Sequence, residues 1–182
     1  MSVSSTGRDR ELIEASLDRI RSELASVVGL EVECDDLKIS RDDKKPVVGD
    51  GVHLSFRLGL LASGEQRHGC LVMGLSPAME AAGLFLGRTD GERLSAVENE
   101  ELDDEWKEGL LEVASVFGAA VDVALRDEVG LDVHACSEGC QGVRSGSAPS
   151  IDVAEGNEVL VGRFQWRSEA GHVSDGFLAV DL

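Results

Sequence analysis

Two stretches of this chain end in the same way. The tripeptide Val-Gly-Leu, centred on Gly29, recurs centred on Gly130, 101 positions later (130 − 29). Each glycine follows a run with helical spacing of apolar residues, and each has a glutamate 18 positions before it, Glu11 (29 − 11) and Glu112 (130 − 112). A repeat this long indicates a duplicated half-domain rather than a solenoid unit. We therefore expect two similar halves related by a pseudo-two-fold axis, each opened by a long helix.

Each half carries the same order of predicted elements. Apolar residues at three- and four-residue steps predict a long helix, and alternating apolar residues after it predict strands. The predicted long helices are 9–28 and one that starts in the acidic run 98–105, and the predicted strands are 30–39, 52–60, 70–75, 131–136, 158–166 and 172–182. Strands joined as hairpins, with helices between them, predict an α+β domain in which two long helices pack on one face of an antiparallel sheet.

The two predicted halves, 9–75 and 100–182, are joined by a short helix. Ser76 suits its N-cap, Pro77 suits its first position, and Gly87 ends it. Polar segments predicted without helix or strand are the connector 88–99, the Gly- and Ser-rich loop 139–150 and the tail 1–8, which we expect to be disordered.

The formal net charge of −18 argues against whole classes of partner. Proteins that bind nucleic acids neutralise phosphates with clustered Lys and Arg, and an anionic membrane surface repels an acidic chain. The chain has no apolar run of about 18 residues to span a membrane, and its start lacks the apolar centre of a signal peptide. We expect a cytoplasmic protein with neither partner, whose charge reflects solubility, a basic partner surface or a high-salt host.

One short segment concentrates soft metal ligands. His134, Cys136 and Cys140 lie close together, but a closed zinc site needs four ligands and no fourth is nearby in the sequence. A zinc site, a Cys136–Cys140 disulfide and two free thiols therefore stay open, and we assign no metal. The remaining histidines have no Ser, Asp or Cys at the spacing of a hydrolytic motif.

The duplication, the order of elements and the glycine at the end of each long helix resemble the CheC/CheX family of chemotaxis phosphatases. The middle domains of flagellar switch proteins share that family's fold. The segment from Cys70 to Gly87, CLVMGLSPAMEAAGLFLG, also resembles the family's strand and bridging helix. The resemblance extends over residues 9–182 as a single domain. It implies binding to the phosphorylated receiver domain of a CheY-like response regulator, with no cofactor in this chain, since Mg²⁺ arrives with the receiver.

The family's catalytic signature on the long helix is Asp or Ser, three residues, Glu, two residues, then Asn. By its place in the repeat, the glutamate corresponds to Glu112, so that Glu108 replaces the Asp or Ser and Ser115 replaces the Asn. In the first half the glutamate corresponds to Glu11, and Glu14 replaces the Asn. The signature glutamate is therefore present in both halves and the Asn in neither.

In the family, the Asn amide orients the attacking water and the glutamate contacts the receiver's active-site lysine. Positioning dominates phosphoryl transfer, and the Ser115 hydroxyl is shorter than an amide. A carboxylate such as Glu14 would repel a phosphoryl group. The resemblance therefore implies weak phosphatase activity in the second half, through Glu112 and Ser115, and none in the first.

Two alternatives to a weak phosphatase stay open. One is a binding module of the same fold that has lost catalysis and binds a receiver, a flagellar-switch partner or a second copy of the chain, pairing edge strands as a homodimer. The other is an acidic domain with a different ligand, in which Glu108, Glu112 and Ser115 only form a solvated helix face.

Overall fold

The structure, a computed structural model, describes residues 6–99, 102–154 and 156–182. Its elements are helices α1 Gly7–Glu23, α2 Leu75–Phe85, α3 Asp90–Asn99 and α4 Asp104–Val123, and strands β1 Val32–Asp42, β2 His53–Ala62, β3 Glu65–Gly74, β4 Val133–Val143, β5 Val159–Ser168 and β6 Val173–Val180. The strands form one antiparallel sheet that helices cover, which confirms the predicted α+β class. Within the described residues, no helix has the length and apolar character needed to cross a membrane.

The sheet order is β1-β5-β6-β3-β2-β4. When β1, β2 and β3 are exchanged with β4, β5 and β6, the order becomes β4-β2-β3-β6-β5-β1. This is the same order counted from the other edge of the sheet, as expected for two similar halves. The predicted hairpins are present as the pairs β2–β3 and β5–β6. The other pairs join the halves, because β1 pairs with β5, β2 with β4, and β3 with β6. Neither half therefore forms its sheet alone, and the pseudo-two-fold relation in space stays a prediction.

The repeated glycines end the two long helices in the same manner. α1 continues as one π-helical turn, Leu24–Val28, and α4 continues as another, Ala124–Glu128. Gly29 (φ 77°) and Gly130 (φ 71°) then adopt the left-handed conformation that side chains with a Cβ disfavour. In each case the leucine after the glycine donates its N–H to a carbonyl six residues earlier. Leu30 donates to the Leu24 carbonyl at 3.1 Å, and Leu131 donates to the Leu125 carbonyl at 2.8 Å. The sequence repeat thus corresponds to a repeat in local structure.

The long helices pack against each other and bury the main core against the sheet. Phe117 of α4 meets Phe56 of β2 edge to face, with ring centroids 4.9 Å apart. Gly118 lets α4 approach the backbone of β4 closely, since a Cβ there would lie 2.5 Å from the Ser137 nitrogen. These contacts fix which face of α4 is buried and which is left to solvent.

Loops cover the opposite face of the sheet with a second apolar cluster that the sequence did not predict. The loops after β1 and β4 bond to each other, with the Val48 N–H donating to the Ser147 carbonyl at 2.9 Å and the Gly146 N–H donating to the Val48 carbonyl at 3.2 Å. The cluster consists of Val48, Cys70, Val72, Val143, Ile151, Val159, Val161, Phe177 and Ala179. The inner strands of the sheet are therefore buried on both faces, whereas the edge strands β1 and β4 are mostly exposed or half-buried.

The connector predicted at 88–99 is wrong, because Asp90–Asn99 forms α3 and two helices join the halves. A capping box starts it: the Thr89 N–H donates to Glu92 Oε2 at 2.8 Å, and the Glu92 N–H donates to Thr89 Oγ1 at 3.3 Å. These reciprocal bonds stabilise the start of a helix that has little apolar periodicity. α4 begins at Asp104, inside the predicted acidic run, of which residues 100–101 lie outside the described residues.

Three predicted boundaries are also wrong. α2 begins at Leu75 with Gly74 at its N-cap, so Ser76 lies inside the helix. The loop predicted from residue 139 starts later, because backbone pairing with β2 extends β4 to Val143 despite its glycines. α1 begins at Gly7, inside the predicted tail, and residues 1–5 lie outside the described residues.

A buried ion pair ties the start of α1 to the end of β1. Arg41 Nη2 lies 2.6 Å from Asp9 Oδ1, and the Asp9 side chain is only 5% exposed. Asp9 also accepts a hydrogen bond from the Thr6 N–H at 2.8 Å. These contacts lower the pKa of Asp9 to about 2, and the hydrogen bond from Arg41 is the largest cause. Burial opposes this shift by raising the pKa, and the hydrogen bonds with Thr6 lower the pKa further.

Asp9→Asn is expected to lower the free energy of unfolding by about 2 kcal/mol at neutral pH. This is the free energy that corresponds to the difference between the folded and unfolded pKa of Asp9. Because the folded pKa lies below the unfolded value of 3.8, this stabilisation is present above pH 3.8 and is lost as the pH falls towards 2. Urea unfolding of both proteins between neutral and acid pH measures it. Glu14→Gln, which breaks the exposed Arg10 pair, should cost about 0.5 kcal/mol or less. Equal losses from the two variants would contradict the special role of Asp9.

Candidate functional site

One face of α4 carries the residues that the signature singled out. Glu108, Glu112 and Ser115 are all exposed, as is Leu111 between them. Their three- and four-residue spacing places them on the same side of the helix. We call these four residues the α4 face. The opposite side of α4 is buried through Trp106, Gly109, Leu110, Val113, Ala114, Phe117, Gly118, Ala120 and Val121.

The two carboxylates of the α4 face have no partner in the described part of the chain. Among the described residues, neither Glu108 nor Glu112 makes an ion pair or a side-chain hydrogen bond. By contrast, Asp104 and Asp122 at the two ends of α4 pair with Lys107 and Arg126 at 3.1 Å. Like charges four residues apart on a helix repel one another modestly. The α4 face thus carries negative charge that no neighbouring cation balances among the described residues, and it can accept a cationic group.

Ser115 makes a hydrogen bond within its own helix. Its Oγ donates a hydrogen bond to the Leu111 carbonyl at 3.1 Å. With its proton donated there, the hydroxyl oxygen keeps its lone pairs for an outside donor. Ser115 can therefore accept a hydrogen bond from a water next to Glu112, at the short reach of a serine side chain.

Leu111 is the residue of this face that sequence reasoning missed. Its side chain is 48% exposed, whereas its neighbour Leu110 is 1% exposed. Leu110 continues the buried stripe at three- and four-residue steps, whereas the residues at those steps from Leu111 include the polar Lys107, Glu108 and Ser115. That signal was available in the sequence. Leu111 gives the α4 face an apolar centre between its two glutamates.

The matching face of α1 has a different chemistry. Glu11 is exposed like Glu112, but Glu14 is half-buried and pairs with Arg10 at 2.6 Å. Arg10 is the repeat counterpart of Leu111, 101 positions earlier (111 − 10). The first half therefore has an internal ion pair where the second half has a leucine and a serine. An arginine in this place satisfies the carboxylate that an outside cation would otherwise meet.

The side chains of His134, Cys136 and Cys140 do not come together at one point. Among the described residues, no three His, Cys, Asp or Glu side chains are placed to hold one metal ion. Cys136 and Cys140 are free thiols: Cys140 packs against the helix-side core, whereas Cys136 is exposed. Burial raises the pKa of the Cys140 thiol, which disfavours the thiolate that zinc needs. His134 Nδ1 instead lies 3.8 Å from Asp122 Oδ1. His134 and the two cysteines therefore have different surroundings.

Comparison with known proteins gives matches of structure only. No family model matches the chain, and neither does any curated protein. FliY from Thermotoga maritima superposes with a TM-score of 0.70 at 14% identity, covering 98% of this chain and 92% of that chain. The chemotaxis protein CheX from Vibrio vulnificus superposes with a TM-score of 0.60 at 16% identity, covering 94% and 98%. A CheC-like chemotactic protein from Shewanella oneidensis gives 0.58 at 13% identity, covering 94% and 97%.

These three matches span nearly the whole of both chains in each pair, so they describe the complete arrangement of helices and sheet. The matches also include the FliM middle domain from H. pylori. The chain therefore has the fold shared by CheX, CheC-like proteins, FliY and the FliM middle domain, which is the fold that the sequence resemblance implied.

Proposed function

We propose that this protein binds the phosphorylated receiver domain of a CheY-like response regulator through the α4 face and hydrolyses its phosphoryl group slowly. The observation that carries this proposal is the exposed row of Glu108, Leu111, Glu112 and Ser115 on a CheX-like fold. Residues at this spacing engage one partner together. Two uncompensated carboxylates supply the acceptors that a lysine requires.

Each residue of the α4 face has a role in this proposal. Glu112 accepts a hydrogen bond from the receiver's active-site lysine, and Glu108 adds a second negative charge one turn away. Leu111 packs against apolar surface of the receiver and excludes water from the charged contacts. Ser115 accepts a hydrogen bond from the water that attacks phosphorus, as the P–O bond to the receiver's aspartate breaks and inorganic phosphate leaves. The receiver brings the Mg²⁺ that neutralises charge in the transition state.

Slow hydrolysis follows from the reach of Ser115. A displacement of about 1 Å in a positioning group costs up to roughly 100-fold in rate, and a serine hydroxyl ends closer to the helix than an asparagine amide. The Ser115 proton is also donated to the Leu111 carbonyl, which orients the oxygen along the helix. The side chain therefore holds a water less well than an amide does.

Ser115→Asn is expected to speed loss of the receiver's phosphoryl group by about tenfold or more, since the amide restores the reach of the positioning group. The measurement follows a receiver domain charged with a small phosphodonor, alone and with each protein. Ser115→Ala removes the hydroxyl without adding an amide and should give no faster loss than the unaltered protein. An unchanged rate with Ser115→Asn, or acceleration by Ser115→Ala, would contradict the role proposed for this position.

A second candidate is a binding module of the same fold without catalysis. The absence of the signature Asn from both helices and the engagement of Ser115 by its own backbone favour it. Such a module would hold a receiver, or would pair with a second copy through an edge strand, β1 or β4. Binding of the phosphorylated receiver without faster hydrolysis would identify it, and sedimentation would report the homodimer.

A further inference from the structure

A second candidate site lies away from the α4 face, in a cavity of about 230 Å³ between α2, α3 and the turn from β5 to β6. Its polar lining includes Ser76, Glu80, Arg93 and His172, and its apolar lining includes Leu94. The volume exceeds that of a few water molecules, each of which takes about 30 Å³ in the liquid. It suits a small metabolite rather than a larger ligand.

Glu80 places at the wall of this cavity a carboxylate that has no hydrogen-bond or ion-pair partner among the described residues. Its Oε2 atom is buried and has no hydrogen-bond partner among the described residues. Burying part of an ionised carboxylate without a donor is costly, and a cation bound in the cavity beside Glu80 would lower that cost.

Arg93 does not supply the missing donor. One of its nitrogens bonds the Arg88 carbonyl at 2.8 Å, and another pairs with Asp90. Its aliphatic part lies against Gly83, where a side chain on α2 would collide with it. Since Asp90 already balances the arginine, Glu80 leaves the cavity with one uncompensated negative charge.

A hydroxyl–imidazole pair forms the other polar end of the cavity. Ser76 Oγ lies 3.3 Å from His172 Nδ1. Ser76 precedes Glu80 by four residues on α2, so both side chains lie on the same face of the helix. His172 has no acidic partner in the described part of the chain, which argues against a hydrolytic triad. The pair instead offers a donor and an acceptor to a polar group one helical turn from Glu80.

From this geometry we propose that the cavity binds a small primary amine that also carries a hydroxyl or carbonyl group. The ammonium N–H donates to Glu80, the hydrocarbon part contacts Leu94, and the second polar group bonds Ser76 and His172. This inference does not rest on the function proposed for the α4 face. It assigns a separate metabolite site to the region where α3, absent from the sequence prediction, closes over α2.

The test titrates the full chain with ethanolamine and with choline, and follows the backbone amide signals of α2 and α3 by NMR. Ethanolamine should bind saturably below about 10 mM, and choline, whose nitrogen has no N–H, should bind at least about tenfold more weakly. Glu80→Gln and Ser76→Ala should each weaken ethanolamine by about tenfold. Glu98→Gln removes the same charge from an exposed position of α3 outside the cavity and should have no effect.

Circular dichroism establishes that each variant is folded, and Ser76→Ala provides an independent variant if Glu80→Gln is not. Absence of saturable ethanolamine binding up to about 10 mM would overturn the proposal, since the cavity would then hold only water. Equal affinity for choline, or ethanolamine binding unaltered by Glu80→Gln and Ser76→Ala, would overturn it as well.

Discussion

Glu112→Lys is expected to weaken binding of the phosphorylated receiver by roughly 100-fold, because it places a like charge against the receiver's active-site lysine. In the proposed contact, loss of the carboxylate removes a charge-assisted hydrogen bond, and the new ammonium adds repulsion. Glu112 is exposed and has no partner among the described residues, so the substitution breaks nothing inside the protein. Calorimetric titration with the phosphorylated receiver measures the effect.

The first half of the chain supplies a matched control for this experiment. Glu11→Lys makes the same change of charge at the repeat counterpart of Glu112, on a helix face whose neighbouring Glu14 already pairs with Arg10. It should change the affinity by about twofold or less, through long-range charge alone. Equal losses from the two variants would show that the receiver responds to net charge rather than to the α4 face.

Gly118→Leu is expected to lower the free energy of unfolding by about 3 kcal/mol or more. A Cβ at Gly118 would lie 2.5 Å from the Ser137 nitrogen and 3.0 Å from the Cys136 carbonyl carbon. Both atoms belong to the backbone of β4, which cannot move aside as a side chain would. The helix must then lift from the sheet, and that cost exceeds the gain of about 1 kcal/mol from replacing glycine inside a helix. Thermal or urea unfolding measures the loss.

Ala119→Leu is the control for this substitution, because Ala119 is the adjacent residue of α4 and is exposed. It should change stability by about 0.5 kcal/mol or less. A stable Gly118→Leu protein with unchanged receiver binding would contradict the close seating of α4 on β4. That seating also sets the direction in which Glu112 and Ser115 point.

The elements that the sequence predicted are those with strong local signals. The long helices and the hairpin strands have apolar residues at their own period, and Gly29 and Gly130 mark the two helix ends. α3 was missed because its stabilising feature is the capping box of Thr89 and Glu92 rather than an apolar stripe. That signal, Thr followed three residues later by Glu, is present in the sequence.

The second apolar cluster could not be predicted in the same way. Val48 and Ile151 lie in loops about a hundred positions apart, and neither belongs to a periodic apolar pattern that would predict its burial. Only the pairing of the two loops across the sheet brings them together. The same holds for Ser76 and His172, which are far apart in the sequence and 3.3 Å apart in the fold.

The polar residues of the α4 face were singled out from the sequence, and its apolar residue was missed. The repeat and the family resemblance singled out Glu112 and Ser115, and the structure places both on the solvent side of α4. Leu111 escaped notice because its neighbour Leu110 continues the buried stripe and the pair looks like core. The asymmetry between the halves, with Arg10 in place of Leu111, became meaningful only once the Arg10–Glu14 ion pair was seen.

The most direct test maps where a receiver domain contacts this protein. The labelled chain is titrated with a phosphorylated receiver from the same organism, and the backbone amide signals are followed by NMR. We expect the largest shifts at residues 108–115 of α4, no comparable shifts around Glu11 of α1, and weaker effects with the unphosphorylated receiver. Shifts centred on α1 or on the edge strands, or no shifts with any phosphorylated receiver of the organism, would contradict receiver binding through the α4 face.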